Sequence, residues 1–186
     1  LEPKNTNSLP LKVGYIAHTV ILKGLQYLLD AWEELMKERN AENFQLYIAG
    51  AVDDSMHEYM VTHHLHTKNV HYVGRIPDVT SFLQDKDIFV VPSLTDGGPY
   101  TALEAAHYAI PVIITENCGS AELLGRGDSG CWVIPIRDAN AIKEKILWAF
   151  SHREEAIRVG HNAKHNLDTY KMDELIKNIA DYLEKA

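Results

Sequence analysis

The chain has 186 residues, of which 46% are hydrophobic and 24% charged, the composition of an ordinary globular domain with a sizeable core. Its formal net charge of -8 argues against nucleic acid as a partner. The two cysteines, Cys118 and Cys131, match no disulfide framework or zinc spacing. We therefore expect a reducing, cytoplasmic location. No apolar run approaches the length of a membrane span, and we expect no signal peptide.

Short apolar runs alternate with helical periods along the chain. Residues 1–10 have a linker-like composition, and because Leu1 is not Met we expect an excised domain whose missing part precedes it. Strands are predicted over residues 11–17, 44–50, 70–74, 87–91, 110–114 and 131–133. Helices are predicted over residues 25–36, 54–66, 77–83, 103–108, 138–151, 153–166 and 171–185.

The predicted strands are short and continuously apolar, which is typical of strands covered by helices on both faces. Their alternation with helices predicts an α/β fold, a doubly wound parallel sheet of the Rossmann-like kind, over residues 11–186. Ligands of such sheets bind beyond the carboxyl ends of the strands. We expect the segments that follow those ends to converge: residues 17–18, 50–51, 74–75, 93–100 and 115–120.

The most informative segment is the small-residue loop over residues 96–99, between a predicted strand and a predicted helix. Backbone N–H groups and a positive helix end suit an anionic ligand. Asp96 and Glu104 flank this loop with seven residues between them, and carboxylates accept hydrogen bonds from hydroxyls. Lys23, in the turn after the first strand, can reach a phosphate as a mobile point charge. The segment predicts a ligand that is part phosphate and part sugar.

The ordered motifs of the chain resemble the C-terminal, donor-binding half of a GT-B glycosyltransferase. The resemblance is to the large retaining family often called family 4, the glycosyl transferases group 1, and it covers nearly the whole chain from residue 11. The resembling residues are Val13-Gly14, Leu22-Lys23-Gly24, 28–32, 46–50, 73–77, 87–93, 96–104, 110–113, Gly119, Glu122, Gly130 and Val133-Ile134-Pro135.

This resemblance implies that the chain binds a nucleoside diphosphate sugar. Lys23 would contact the diphosphate, Asp96 would lie beside the donor sugar, and these two residues would be catalytic. Glu104 would accept from the ribose hydroxyls, while Arg75 and Ile76 would lie near the nucleobase, mostly through backbone. The donor-binding residues implied in this way are His18, Lys23, Gly24, Arg75, Ile76, Asp96, Gly97, Gly98, Pro99, Tyr100, Thr101 and Glu104.

The chain departs from the family pattern at two positions. Asp96 stands where the family usually has Glu, so its reach is one methylene shorter. Tyr15 stands where the family often has Arg, a second phosphate-binding cation. His18 is the candidate for partial replacement, although a neutral imidazole is a weaker partner for a diphosphate.

The resemblance also implies a reaction, the retaining transfer of a sugar, of hexosyl type, from the nucleotide to an acceptor hydroxyl. No metal and no other cofactor is expected, because the Lys23 cation and the helix dipoles can carry the charge of the leaving group. The resemblance implies an acceptor domain that is missing from this chain, so that the fragment is inactive alone. Peripheral membrane association of the full-length enzyme stays open. The alternative is a non-catalytic nucleotide-binding Rossmann-like module, or half of a sugar-nucleotide epimerase.

Local structure offers a second interpretation for several of these residues. The segment from Thr101 to Glu104 fits a capping box, in which the Glu closes back on a helix N-terminus. Asp96 followed by two glycines is also an ordinary turn signal. Asp53 and Asp54, which could suggest a phosphoacceptor, are better interpreted as the first turn of a helix. Five histidines match no compact zinc motif, so no metal site is expected there: His57, His63, His64, His66 and His71.

Overall fold

The computed structural model describes residues 9–64 and 66–170, and six strands within them form one sheet. Every neighbouring pair of strands is parallel. The strands are β1 (Leu11–Ile16), β2 (Phe44–Ala49), β3 (Val70–Gly74), β4 (Ile88–Val91), β5 (Val112–Thr115) and β6 (Cys131–Ile134). All six lie within two residues of their predicted bounds.

The described residues also form seven α-helices. These are α1 (Leu25–Leu35), α2 (Asp54–His63), α3 (Val79–Gln84), α4 (Tyr100–His107), α5 (Ser120–Leu124), α6 (Ala139–Ser151) and α7 (Arg153–Thr169). Helix α5 was not predicted, because its five residues are too few to show a helical period. Helix α3 begins after Asp78, whose carboxylate accepts from the N–H of Thr80, and not at Pro77.

Two predictions lie outside the described residues: the helix over 171–185 and most of the linker over 1–10. Among the helices that the structure does describe, none combines the length and the apolar composition needed to cross a bilayer.

Alternate residues of the central strands pack into two buried clusters, one on each face of the sheet. In β4, Ile88 and Val90 pack with the cluster that holds α1 and α6, whereas Phe89 and Val91 pack with the cluster that holds α4. Burial on both faces explains why this strand reads as a continuous apolar run. The doubly wound, Rossmann-like sheet is therefore confirmed. Strand β3 differs, since it lies at the sheet edge and four of its five residues are exposed.

The strand order reverses direction between β1 and β4, the two central strands of the sheet. The order is β3-β2-β1-β4-β5-β6, so the chain moves outward from β1 to β3, crosses back to β4, and moves outward again to β6. The loops that follow β1 and β4 therefore leave the sheet in opposite directions. In open parallel sheets this reversal creates the crevice in which ligands bind.

Candidate functional site

Three loops meet at the carboxyl edge of the sheet, after β1, β4 and β5. The N–H of Leu94, after β4, donates to the carbonyl of Leu22, after β1, over 2.8 Å. The N–H of Asp96 donates to the carbonyl of Asn117, and the N–H of Gly119 donates to the carbonyl of Asp96, each over 3.1 Å. The predicted convergence of residues 93–100 and 115–120 is confirmed.

Two glycines allow this close approach of backbones. Gly24 has a φ of +71°, and a Cβ on it would lie 1.9 Å from the carbonyl oxygen of Pro92. A Cβ on Gly119 would lie 2.2 Å from the carbonyl oxygen of Gly97. Real Cβ atoms do not approach oxygen so closely, so any other residue at either position would separate the loops.

Lys23 and Asp96 form an ion pair where these loops meet. The Lys23 Nζ lies 2.6 Å from Asp96 Oδ2, and the two side chains are 34% and 14% exposed. Lys23 ends a single 3-10 turn over Ile21–Lys23, directly before Gly24 and α1. The sequence placed both residues at this edge of the sheet, but it did not predict their contact across 73 positions.

The loop from Asp96 leads directly into α4. Asp96 Oδ1 accepts from the N–H of Gly98 over 3.3 Å, and α4 begins at Tyr100, three residues earlier than predicted. Pro99 is the N-cap residue, and it supplies no side-chain cap. The first N–H groups of a helix have no partner within the helix, so this end of α4 presents donors and a partial positive charge to the site.

Glu104 lies one turn into α4, with an exposed side chain. A capping box would need Thr101 at the N-cap and Glu104 at the third helical position. Pro99 occupies the N-cap instead, and Glu104 is the fifth helical residue, so the capping-box interpretation is wrong. Among the residues that the structure describes, Glu104 has no hydrogen-bond or ion-pair partner, which leaves its carboxylate available to a ligand.

The remaining predicted donor residues flank the central group. His18 is exposed in the loop after β1. Arg75 is exposed and Ile76 half-buried after β3, whose last residue, Gly74, accepts from the N–H of Gly50 over 2.7 Å. Arg75 and Ile76 therefore share the carboxyl edge with Lys23, but they follow β3, which lies two strand spacings, about 10 Å, from β1.

Tyr15 points into the interior and not toward the crevice. Its side chain is 2% exposed, and its hydroxyl donates to the carbonyl of Lys23 and accepts from Thr19, each over 3.5 Å. Burial raises the pKa of this phenol, so the group is neutral. Tyr15 therefore stabilises the Lys23 turn from the interior of the protein, and it supplies no second cation.

Residues after β5 hold the site together, although none was among the predicted site residues. The Asn117 side chain donates to the carbonyl of Leu94 over 3.0 Å. The hydroxyl of Ser120 donates to the carbonyl of Pro99 over 3.2 Å. Their position directly after a central strand indicated that they lie near the site. It did not indicate which backbone carbonyls their side chains bind.

Asp53 and His64, two of the other polar residues considered above, have partners within the chain. Asp53 is the N-cap of α2 and accepts from the N–H of Met56 over 2.8 Å, so the helix-start interpretation is confirmed. His64 is buried within 3.3 Å of Asp30 and 3.5 Å of Glu33. Over residues 9–64 and 66–170, no three His, Cys, Asp or Glu side chains group in a way that could hold a metal ion.

The chain resembles proteins of polysaccharide biosynthesis in sequence. It is 24% identical over 166 residues to the capsular polysaccharide biosynthesis glycosyltransferase CapM of Staphylococcus aureus, covering 88% of this chain and 43% of CapM. The chain spans about two fifths of the length of the curated relatives it matches.

Two solved structures share its fold. The Anabaena protein Alr3699/HepE, solved in complex with UDP, matches with a TM-score of 0.77 at 15% identity, over 95% of this chain and 49% of that one. The C-terminal domain of LpcC, a glycosyl transferase group 1 family protein of Francisella tularensis, matches with a TM-score of 0.74 at 18% identity, over 87% of each chain.

The family assignment rests on the sequence as a whole. The family model for glycosyl transferases group 1 matches residues 2–166, which include all three loops of the site and every predicted donor-binding residue. The ordered motifs and the parallel sheet agree with that match, and the chain belongs to the group 1 glycosyl transferases.

Proposed function

We propose that this chain is the donor-binding, C-terminal half of a retaining, family 4 glycosyltransferase of the GT-B fold. The observation that carries the proposal is the Lys23 ammonium, held at the strand-order reversal beside the N-terminal end of α4. A cation and a helix end together suit a diphosphate. The structural likeness to a protein solved with UDP and with UDP-glucose supports the same ligand class.

The proposed ligand is a nucleoside diphosphate sugar. Lys23 donates to the diphosphate, Gly24 gives it room, and His18 stands nearby as a second polar contact. The N–H groups of Gly97, Tyr100 and Thr101 face the sugar and phosphate, whereas the N–H of Gly98 donates to Asp96 Oδ1. Pro99, which has no N–H, shapes the turn. Glu104 accepts from the ribose hydroxyls, and the 75–76 backbone lines the nucleobase.

The proposed reaction transfers a sugar, of hexosyl type, to an acceptor hydroxyl. The chain contributes by positioning the donor and by stabilising the departing diphosphate with Lys23 and the loop amides. A separate N-terminal domain supplies the acceptor site, so this chain alone transfers nothing. Family membership favours this activity over a non-catalytic module or an epimerase half. A cytoplasmic enzyme, with peripheral membrane association of the full-length protein, fits the proposal.

Replacement of Glu104 tests the ribose contact. We expect Glu104→Gln to weaken UDP binding about tenfold, since a charge-assisted hydrogen bond contributes roughly 1.5–3 kcal/mol. Calorimetric titration with UDP and with 2′-deoxy-UDP measures the effect, and the variant should lose its preference for the ribonucleotide. Glu42→Gln is the matched control, because Glu42 is exposed before β2, at the opposite end of the sheet. An unchanged preference in Glu104→Gln would remove Glu104 from the ribose site.

Removal of divalent metal tests whether Lys23 and the helix end suffice for the diphosphate. We expect UDP to bind equally well with and without EDTA, because a lysine and backbone donors can neutralise phosphate charge directly. Calorimetry in matched buffers gives both dissociation constants. Loss of binding in EDTA, restored by added Mg²⁺, would contradict the metal-independent site.

A further inference from the structure

Two hydrogen bonds from the loop after β5 end on carbonyl groups of the loop after β4. The hydroxyl of Ser120 donates to the carbonyl of Pro99 over 3.2 Å, and the N–H of Gly119 donates to the carbonyl of Asp96 over 3.1 Å. Ser120 is 1% exposed, so its hydroxyl does not exchange this bond for one to bulk water. The carbonyls at both ends of the 96–99 loop therefore face the loop after β5.

The direction of each of these carbonyls fixes the direction of the next N–H group. In a trans peptide the C=O of one residue and the N–H of the following residue lie in one plane and point in opposite directions. The N–H of Gly97 follows the Asp96 carbonyl and the N–H of Tyr100 follows the Pro99 carbonyl, so both point away from the loop after β5. Because β4 lies between β1 and β5, that direction leads toward the crevice and Lys23.

These two N–H groups are open to a ligand. Within residues 9–64 and 66–170, neither the N–H of Gly97 nor that of Tyr100 donates to another group, whereas the N–H of Gly98 donates to Asp96 Oδ1 over 3.3 Å. We infer that Ser120 is a positioning residue, which holds the N-terminal end of α4 so that the N–H of Tyr100 faces the diphosphate before the ligand arrives. This inference rests on the proposed function.

Helix α4 alone does not determine where this donor lies. The Pro99 carbonyl also accepts from the N–H of Ala102 over 3.1 Å, so the first turn sets the orientation of the peptide relative to the helix axis. That bond moves with the helix. The bond from Ser120 instead connects the helix end to β5, whose four residues are all buried. Donors that are held in place before binding lose less freedom when the ligand arrives.

Replacement of Ser120 by alanine tests the inference, with UDP and uridine as probes. The substitution removes only the hydroxyl and leaves the Pro99 carbonyl bonded to Ala102 alone. We expect the affinity for UDP to fall about fivefold, which is the usual effect of losing one neutral hydrogen bond. The affinity for uridine, which has no phosphate, should not change. Titrations followed by amide chemical shifts give the dissociation constants of both probes.

Ser129→Ala is the matched control for this substitution. The Ser129 hydroxyl also donates to a backbone carbonyl, that of Arg126 over 2.6 Å, but it precedes β6 and so lies at the opposite end of the sheet. It should leave the affinity for UDP and uridine unchanged. Each variant is melted without ligand, so that a folding defect is detected directly.

A second measurement needs no substitution and decides the matter if Ser120→Ala does not fold. On addition of UDP to the wild-type chain, the amide signals of Gly97 and Tyr100 should shift more than that of Gly98, whose N–H is already bonded to Asp96. A Gly98 signal that shifts more than the other two would overturn the inference, because the donors would then not be arranged as the carbonyl bonds imply.

The binding outcomes distinguish this inference from the proposed function. An equal loss for UDP and uridine in Ser120→Ala would show that the hydroxyl maintains the site as a whole, and it would overturn the inference alone. An unchanged affinity for UDP would do the same. If the wild-type chain binds neither probe, the proposed function fails and the inference fails with it.

Discussion

Lys23→Ala should weaken UDP binding on the order of 100-fold, which is the largest functional effect we expect of any substitution at the site. The ammonium has two donors free for phosphate oxygens beyond its bond to Asp96. Each charge-assisted bond contributes roughly 1.5–3 kcal/mol, and about 1.4 kcal/mol corresponds to tenfold in affinity. The substitution also leaves Asp96 as an uncompensated negative charge beside the phosphate. Calorimetric titration of both proteins measures the change.

Lys12→Ala is the control for this experiment. Lys12 forms an ion pair of the same length, 2.6 Å, with Asp85, and its side chain is 32% exposed, against 34% for Lys23. It lies near the start of β1, whereas Lys23 follows the end of that strand. We expect Lys12→Ala to leave UDP affinity unchanged. Equal losses in the two variants would trace the effect to general charge and remove Lys23 from the diphosphate site.

Gly160→Ala should lower the free energy of unfolding by about 3 kcal/mol, the upper range for overpacking a dense interior. In an exposed helix the same change stabilises by about 1 kcal/mol, because Ala is the better helix former. Here a Cβ would lie 2.1 Å from the carbonyl oxygen of Ala109 and 2.9 Å from the backbone nitrogen of Pro111. Helix α7 would have to move away from the turn between α4 and β5. Urea unfolding followed by circular dichroism gives the free energy.

The neighbouring residue provides the control for this stability effect. His161 lies next to Gly160 on α7 but is exposed, so His161→Ala should change stability by no more than about 0.5 kcal/mol. An increase in stability for Gly160→Ala would mean that α7 does not lie against the Ala109 turn.

Much of the fold could be predicted because the central strands are buried on both faces. In β4, Ile88 and Val90 pack into one cluster and Phe89 and Val91 into the other, so all four residues of the strand are apolar and buried. Helix α1 could be predicted for a related reason, since Leu28, Trp32 and Leu35 recur on the one face that is buried. In these elements the pattern of apolar residues in the sequence coincides with the positions that are buried, so the pattern predicts the element.

Contacts between distant loops could not be predicted in the same way. The motifs placed Lys23 and Asp96 at one edge of the sheet. The direction of each side chain depends on backbone turns in the loops, which no hydrophobic period of the sequence predicts. Tyr15 shows the limit most clearly: its alignment with a family arginine did not indicate where its side chain points, and strand alternation turns its ring into the interior. The start of α4 was placed too late because Pro99, which caps it, carries no side-chain cap signal.

The hydrogen bond from Tyr15 to the Lys23 carbonyl connects the hydrophobic interior to the proposed donor crevice. The ring lies in the same buried cluster as Trp32 of α1 and Ile146 of α6. A substitution that repacks this interior will shift the phenol, and with it the backbone that carries the cation. Thermostability and affinity for the proposed donor should therefore not vary independently in this domain. Variants chosen only for a higher melting temperature should therefore be screened for UDP affinity as well.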